Sequence, residues 1–341
     1  MKTNIQDCNF SSLGEELGAI DTDNLLIVVD SRVWQIYAKE LVENHPKDKK
    51  IYLYKTLEGE ATKNVAEFEK GLEFFLEKGI HRDSYLVAIG GGATSDFAGF
   101  LASSLLRGLK WSVVPTTLLS MVDASIGGKT GINSKHGKNL IGAFHLPENV
   151  WIIEDFINSL PKEELDSGLG EIIKYGFLDK EISKTLTSKC SLSEVIEACA
   201  RKKEEIVQSD FKENGARISL NLGHTFGHAL EKIYDLPHGV AVFWGMALIF
   251  KLYDGESFLK TLRSFETSLG ADFGAPPWLN KTFPVKKIME YVAKDKKRKS
   301  NEELQLVLVE EVGQFKAVSF KISDIKEKLE QSKDDLRSFN F

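Results

Sequence analysis

Residues 85–106 read YLVAIGGGATSDFAGFLASSLL, and this stretch decides the fold. Tyr85–Ile89 is a short apolar run of the kind a buried strand uses, and three glycines follow at 90–92. From about Asp96 to Leu106 the pattern is helical. A strand that turns through glycines into a helix is the building unit of a parallel sheet with helices on its faces. The same alternation continues on both sides. Leu25–Asp30 (LLIVVD) and Ile51–Lys55 read as strands, and a helical pattern runs through Val33–Val42. Lys63–Lys78 carries apolar residues at Val65, Phe68, Leu72, Phe75 and Leu76, and Trp111–Val114 reads as a fourth strand.

Beyond about residue 155 helical segments follow one another at 162–177, 193–208, 216–234, 239–253, 256–268 and 286–294. One late β-like pair stands at Leu304–Val309 and Phe315–Phe320. Ile157–Pro161 sets up a new helix start, so the expected division is an α/β domain over 1–158 and a mainly α-helical domain over 159–341. The final residues, KDDLRSFNF, are expected at the surface or frayed.

A chain of 341 residues is more than one core comfortably holds, which also favours two domains. Its 44 basic residues against 50 acidic ones give a net charge of −6, which argues against a nucleic-acid binder. A local cationic cluster for a small anion is still allowed. Three scattered cysteines (Cys8, Cys190, Cys199) form no disulfide framework, and a reducing compartment follows. The first residues, MKTNIQDCNF, lack the apolar core of a signal peptide. The longest apolar stretch, Val240–Phe250, is 11 residues and too short for a bilayer. The expectation is a cytoplasmic protein.

Four groups of residues carry chemistry. Gly90–Gly92 before a helix lets backbone N–H groups approach a phosphate, although it is not the GxGxxG pattern. Residues 124–130 (ASIGGKT) end like a phosphate-binding P-loop, but the required first glycine is Asp123, so that reading fails. The segment 107–145 brings Arg107, Thr116, Thr117, Asp123, Lys129, Asn133, Lys138, Asn139 and His145 together without clear periodicity, as the lining of a pocket for an anionic, hydroxyl-rich ligand would. Glu213, Arg217, Asn221, His224, His228 and Glu231 would fall within roughly 80° on one continuous helix, a polar stripe at core spacing. Three of the seven histidines lie between 224 and 238. His224 could share a metal with His228 or with His238, and Glu171 in GLGEIIK offers a carboxylate. Two histidines and a carboxylate leave a coordination position open, the arrangement of a catalytic zinc.

The blocks GGGATSDFAGF, RG at 107–108, VPTTLLSMVDASIGGKTGIN, GKNLIGAFHLP, SGLGEIIKYG, GARISLNLGHTFGHALE, HGVAV and DKK resemble the 3-dehydroquinate synthases, a branch of the sugar phosphate cyclases. The resemblance runs from about residue 58 to 310. It implies a Rossmann-like NAD-binding domain, a helical domain, and an active site between them. It also implies a homodimer in which Arg107 reaches the neighbouring active site. One divalent metal, zinc with cobalt as the alternative, would be held by Glu171, His224 and His238. NAD would meet Asp30, Glu60, Lys63, Gly91, Gly92, Asp96, Thr116, Thr117, Lys129 and Lys138. The substrate set would be Arg107, Asp123, Lys129, Asn139, Lys174, Lys203, Glu213, Arg217, Asn221, His228, Lys296 and Lys297. The implied activity is that of a lyase of the shikimate pathway, which leads to chorismate and the aromatic amino acids.

This chain departs from the family pattern in places. Ser95 and Gly170 stand where glycine and alanine are frequent, and both exchanges are expected to be tolerated. Val240 replaces a usual glutamate, which puts a contact to His238 in doubt. The alternatives are another sugar phosphate cyclase, or an iron-type alcohol or glycerol dehydrogenase, which would release NADH and lacks the GGKTGIN and RxxLNxGHTxGH blocks.

Overall fold

The computed structural model describes residues 2–188, 191–213, 215–293 and 302–341. Cys190, Lys296 and Lys297 lie outside the described residues. Two compact units divide the chain: residues up to Pro161 together with Lys203–Gln208, and the remainder.

The first unit contains, in chain order, β1 (Asn4–Asp7), α1 (Phe10–Ala19), β2 (Asn24–Asp30), α2 (Ser31–Glu43), β3 (Lys50–Thr56) and α3 (Val65–Glu77). It continues with β4 (Tyr85–Gly90), α4 (Gly92–Ser104), β5 (Lys110–Pro115), β6 (Lys129–Ser134), β7 (Gly137–Phe144) and β8 (Asn149–Ile152). Six of the strands form one parallel sheet in the order β1-β8-β5-β4-β2-β3. All seven residues of β2 are buried, as a strand covered on both faces requires. The chain leaves β2 for β3 on one side and returns through β4 to β5 on the other. The topological switch therefore falls between β2 and β4, where an open α/β sheet places its ligand crevice.

Several sequence expectations need correction here. Helix α4 begins at Gly92 rather than Asp96, with Gly91 as a cap that offers no side-chain bond. Gly91 and Gly92 thus form the helix start itself, with no side-chain cap over its first N–H groups. The segment 107–145 contains an antiparallel hairpin, β6 with β7, whose register shifts between Ile132 and Ser134. Most of β7 is exposed, so no apolar alternation announced it. Strands β1 and β8 have four residues each and were too short to read.

The second unit holds α5 (Lys162–Leu178), α6 (Lys180–Thr187), α7 (Leu192–Ser209), α8 (His224–Tyr234), α9 (His238–Ile249), α10 (Glu256–Ser268) and α11 (Val285–Val292). A hairpin of β9 (Glu303–Glu311) and β10 (Gln314–Lys321) and then α12 (Ile322–Arg337) complete it, with residues 203–208 of α7 counted in the first unit. The helix expected over 216–234 is broken. A 3₁₀ turn covers Ala216–Asn221, and Gly223 takes a left-handed conformation (φ 77°) before α8 starts. A Cβ at Gly223 would stand 2.6 Å from Met246 Cγ and 2.7 Å from Val242 O, so the break is dictated by α9 packed against it. The C-terminal residues are not frayed either: Leu336 and Phe339 are buried, and the Phe341 ring stacks 6.3 Å from Phe243. Among the described residues no helix is long and apolar enough to cross a membrane.

Candidate active site

The second unit brings three side chains to one point. Glu171 lies in the middle of α5, whose residues from Asp166 to Leu178 are all buried. His224 is the first residue of α8 and His238 the first of α9. Each adjoins a glycine at a close approach of backbones. A Cβ on Gly170 would fall onto Gly239 O, one on Gly239 onto Ser167 O, and one on Gly245 onto Gly223 O. Helices α5, α8 and α9 therefore touch backbone to backbone at the positions next to the three side chains. Gly170, expected to exchange easily with alanine, has no room for a methyl group. Gly170→Ala is expected to destabilise the protein by about 1–3 kcal/mol and to weaken metal binding without touching a ligand. Melting and metal titration read both, and an unchanged melting temperature would show that α5 and α9 separate at no cost.

Glu171 Oε1 lies 3.4 Å from His224 Nε2 and 3.3 Å from His238 Nε2. The ligand atoms of the three residues all lie within 4.8 Å of one another. Ligands about 2.0–2.1 Å from a tetrahedral ion are separated by about 3.3–3.4 Å, so these spacings fit a zinc-sized cation. The outer ring nitrogens are fixed as well. His224 Nδ1 lies 3.1 Å from Leu222 O, and His238 Nδ1 lies 3.1 Å from Glu231 Oε2. Both contacts engage Nδ1, so Nε2 is the nitrogen each ring presents toward Glu171.

Electrostatics point the same way. Burial opposes a charge on His238, yet the Glu171 and Glu231 carboxylates outweigh it and hold the pKa up to about 9. Burial likewise opposes the Glu231 charge, but His238 and Lys232 bring its pKa down to about 2. A pocket that holds a proton so firmly has a negative field that also attracts a cation. Glu231 received no role from the sequence, although it sits seven residues after His224 on the same helix. Val240, buried in α9, leaves the contact to His238 to Glu231.

His228 stands one turn beyond His224, its ring 5.4 Å from that of His224 and 5.9 Å from that of His238, and it is outside the three-residue group. Lys174, one turn after Glu171, is buried and its Nζ pairs with Glu171 Oε2. Arg217 is also buried, its guanidinium donating to Phe211 O at 2.9 Å. Asn221 ends the 3₁₀ turn and Glu213 precedes it with φ 61°. The expected six-residue stripe is thus split between a turn and a helix, and only His224, His228 and Glu231 share one.

In the first unit the glycine turn ends β4 at the switch point. A Cβ at Gly91 would stand 3.0 Å from Thr117 Cγ2, and one at Gly92 3.1 Å from Ala124 Cβ. The bare backbone there is a cradle that fits a pyrophosphate on a helix N-terminus. Thr116 N donates to Gly90 O at 3.0 Å and ties β5 to the turn. Buried Lys63 donates from Nζ to Asp96 Oδ2 at 2.6 Å and to Asn139 Oδ1 at 2.5 Å. Asn133 joins Glu60 to the same group, donating from Nδ2 at 2.8 Å. Burial raises the Asp96 pKa to about 6 even though Lys63 opposes the shift. Lys129 and Lys138 are exposed on the hairpin, and Lys129 helps line a cavity of about 300 Å³ with Asp96, Asn139 and Phe144.

Asp30 is committed locally: Oδ1 accepts from Arg32 N at 2.8 Å, and Oδ2 accepts from Gly59 N at 3.1 Å. Lys203 donates to Asp123 Oδ1 at 2.9 Å. Ser95 fits its position, donating from Oγ to Gly91 O at 3.1 Å. Arg107 (φ 73°) lies between the end of α4 and the start of β5, at the opposite end of the sheet from the glycine turn.

Family models described as the N-terminal and C-terminal parts of 3-dehydroquinate synthase match residues 53–167 and 168–298. The 3-dehydroquinate synthase of Pyrococcus furiosus is 40% identical over 252 residues, covering 72% of this chain and 75% of that protein. That of Streptococcus mutans is 35% identical over 326 residues, 90% of each. Among solved structures, 2-deoxy-scyllo-inosose synthase complexed with carbaglucose-6-phosphate, NAD+ and Co2+ shares the fold with a TM-score of 0.82, at 22% identity over 96% of each chain. Matched in both halves, and similar to such relatives over most of its length, the chain belongs to the 3-dehydroquinate synthase family.

Proposed function

We propose that this chain converts 3-deoxy-D-arabino-heptulosonate 7-phosphate to 3-dehydroquinate and phosphate, the reaction its resemblance to the family implies, and relatives named 3-dehydroquinate synthase support the reading. The observation that carries the reading is the spacing of Glu171 Oε1 from the two Nε2 atoms, which suits a divalent cation with an open position. Bound NAD would take and return a hydride, and the cation, zinc or cobalt, would draw electron density from substrate oxygens.

The chain's own residues supply the rest. Gly91, Gly92 and the start of α4 receive the dinucleotide's phosphates, with Thr116, Thr117 and Lys138 beside them. The Glu60–Lys63–Asp96 network fixes the shape of that crevice. Arg217, held by Phe211 O, and Lys203, held by Asp123, are assigned to the substrate carboxylate, with Asn221 alongside Arg217. Lys129, Asn139 and His228 are assigned to the phosphate. Phosphate leaves with the electrons of its C–O bond as the adjacent carbon gives up a proton. The hydride is returned within the same turnover, so no net oxidation occurs.

Incubation with the heptulosonate phosphate, catalytic NAD and zinc should release phosphate without accumulation of NADH. Stoichiometric NADH would instead indicate a dehydrogenase, and no phosphate release would end the proposal. The place of Arg107 at the far end of the sheet supports a homodimer in which the partner's Arg107 completes the phosphate site. Arg107→Ala and His228→Ala proteins should each be inactive, and mixing them should restore turnover, because a mixed dimer has one intact site. Failure of the mixture to regain activity would remove the partner's Arg107 from the reaction.

A further inference from the structure

In the first unit a cavity of about 260 Å³ lies between α1, α2 and the sheet. Leu13 and Leu17 of α1, Ile27 and Val29 of β2, Leu53 of β3 and Leu41 of α2 make its wall almost wholly apolar. Helix α2 covers this side, yet it has no buried residue and departs from helical geometry at Tyr37 (φ −115°, ψ 15°). It is pinned at two places. The Tyr37 ring packs 4.7 Å from Phe156 and 5.7 Å from Phe10, and its hydroxyl donates to Asp155 O at 3.1 Å. Near the other end Gly14 touches Asn44 O so closely that a Cβ would collide with it. The cavity is therefore framed and does not depend on a loose helix.

Glu40, Asn44, His45 and Trp34 are the lining residues with polar side-chain atoms, and Glu40 Oε2 is buried without a hydrogen-bond partner. Two of the neighbouring polar atoms are engaged with backbone, Asn44 Nδ2 on Glu40 O at 2.8 Å and His45 Nδ1 on Val42 O. Dry apolar cavities of about 150 Å³ take up benzene, so this one has room for a ring and a short tail. A carboxylate oxygen among leucines and isoleucines selects a positive group at the end of that tail. We infer that this cavity is a binding site for a small aromatic or branched apolar molecule ending in a primary ammonium.

Phenethylamine is the probe, with phenethyl alcohol as its neutral counterpart, each titrated calorimetrically into the full-length protein. The amine should bind saturably at one site per chain and more tightly than the alcohol. Glu40→Gln should weaken the amine at least about tenfold, the scale of losing a charge-assisted hydrogen bond, and leave the alcohol unchanged. Leu17→Trp, which fills the cavity, should abolish both, while Glu40→Gln keeps the turnover of the unsubstituted enzyme. Absence of saturable amine binding, equal affinity for amine and alcohol, or amine binding unaffected by Glu40→Gln would each overturn the assignment.

Discussion

Replacing His224 by alanine is expected to remove the metal and the turnover together. Its Nε2 is one of three ligand atoms in the second unit, and no other side chain among the described residues joins that group. His228 is the obvious substitute, but it sits a turn further along α8 with its ring at right angles to that of His224. Glu171 and His238 alone would leave a cation bound by two protein atoms, too few to hold zinc against buffer. Lewis-acid stabilisation is worth several kcal/mol in the transition state, and each ~1.4 kcal/mol is a factor of ten in rate. Turnover should therefore fall by at least about a thousandfold. The fold should survive, because His224 begins its helix and its Nδ1 contact to Leu222 O is local. Metal content per chain is the first readout and nucleotide binding by the first unit the control. If the variant still carried one metal per chain, the ligand set would be wrong. If it also lost nucleotide binding, general misfolding would explain the result.

The sequence was informative where local patterns and packing agree. The apolar run of β2, the glycine turn after β4 and the polar cluster after Gly215 were all legible, because burial on both faces and bare backbone leave marks in composition. The hairpin of β6 and β7 left none. Its second strand is mostly exposed, and its pairing is close at glycines, with a Cβ on Gly131 standing 3.2 Å from the Gly142 Cα. The continuous helix over 216–234 failed for a different reason. Its spacing is helical throughout, but Val242 and Met246 of α9 decide the conformation of Gly223, and a contact so far along the chain is invisible to periodicity. That break, with the turn at Pro237, puts two histidines at helix starts facing the middle of α5. Residue spacing alone left His228 and His238 as equal choices; the family resemblance favoured His238, and the packing of three helices brings His238 rather than His228 to Glu171 and His224.

The same packing gives Lys174 a place the sequence did not suggest, and a second large effect follows from it. Lys174 and Glu171 form an ion pair whose side chains are each 1% exposed, with Nζ also 4.9 Å from the centre of the Tyr175 ring. Removing one partner of a buried pair strands the other charge, at a cost of about 3–5 kcal/mol. In metal-free protein, Lys174→Met should fall at the lower end, about 3 kcal/mol, because the proton held on His238 still faces Glu171. A divalent cation on Glu171 compensates the stranded carboxylate, so the metal-loaded variant should be close to the unsubstituted protein. Thermodynamic linkage then fixes the sign of the remaining effect. What the metal-free state loses and the loaded state keeps must appear as tighter binding, roughly a hundredfold for that difference. Lys174 thus competes with the metal for the carboxylate, and its removal raises affinity even as it removes a residue assigned to substrate. Melting curves of both proteins with and without zinc measure the four states needed. Equal destabilisation in the presence and absence of metal would show that the pair and the cation do not share the charge of Glu171.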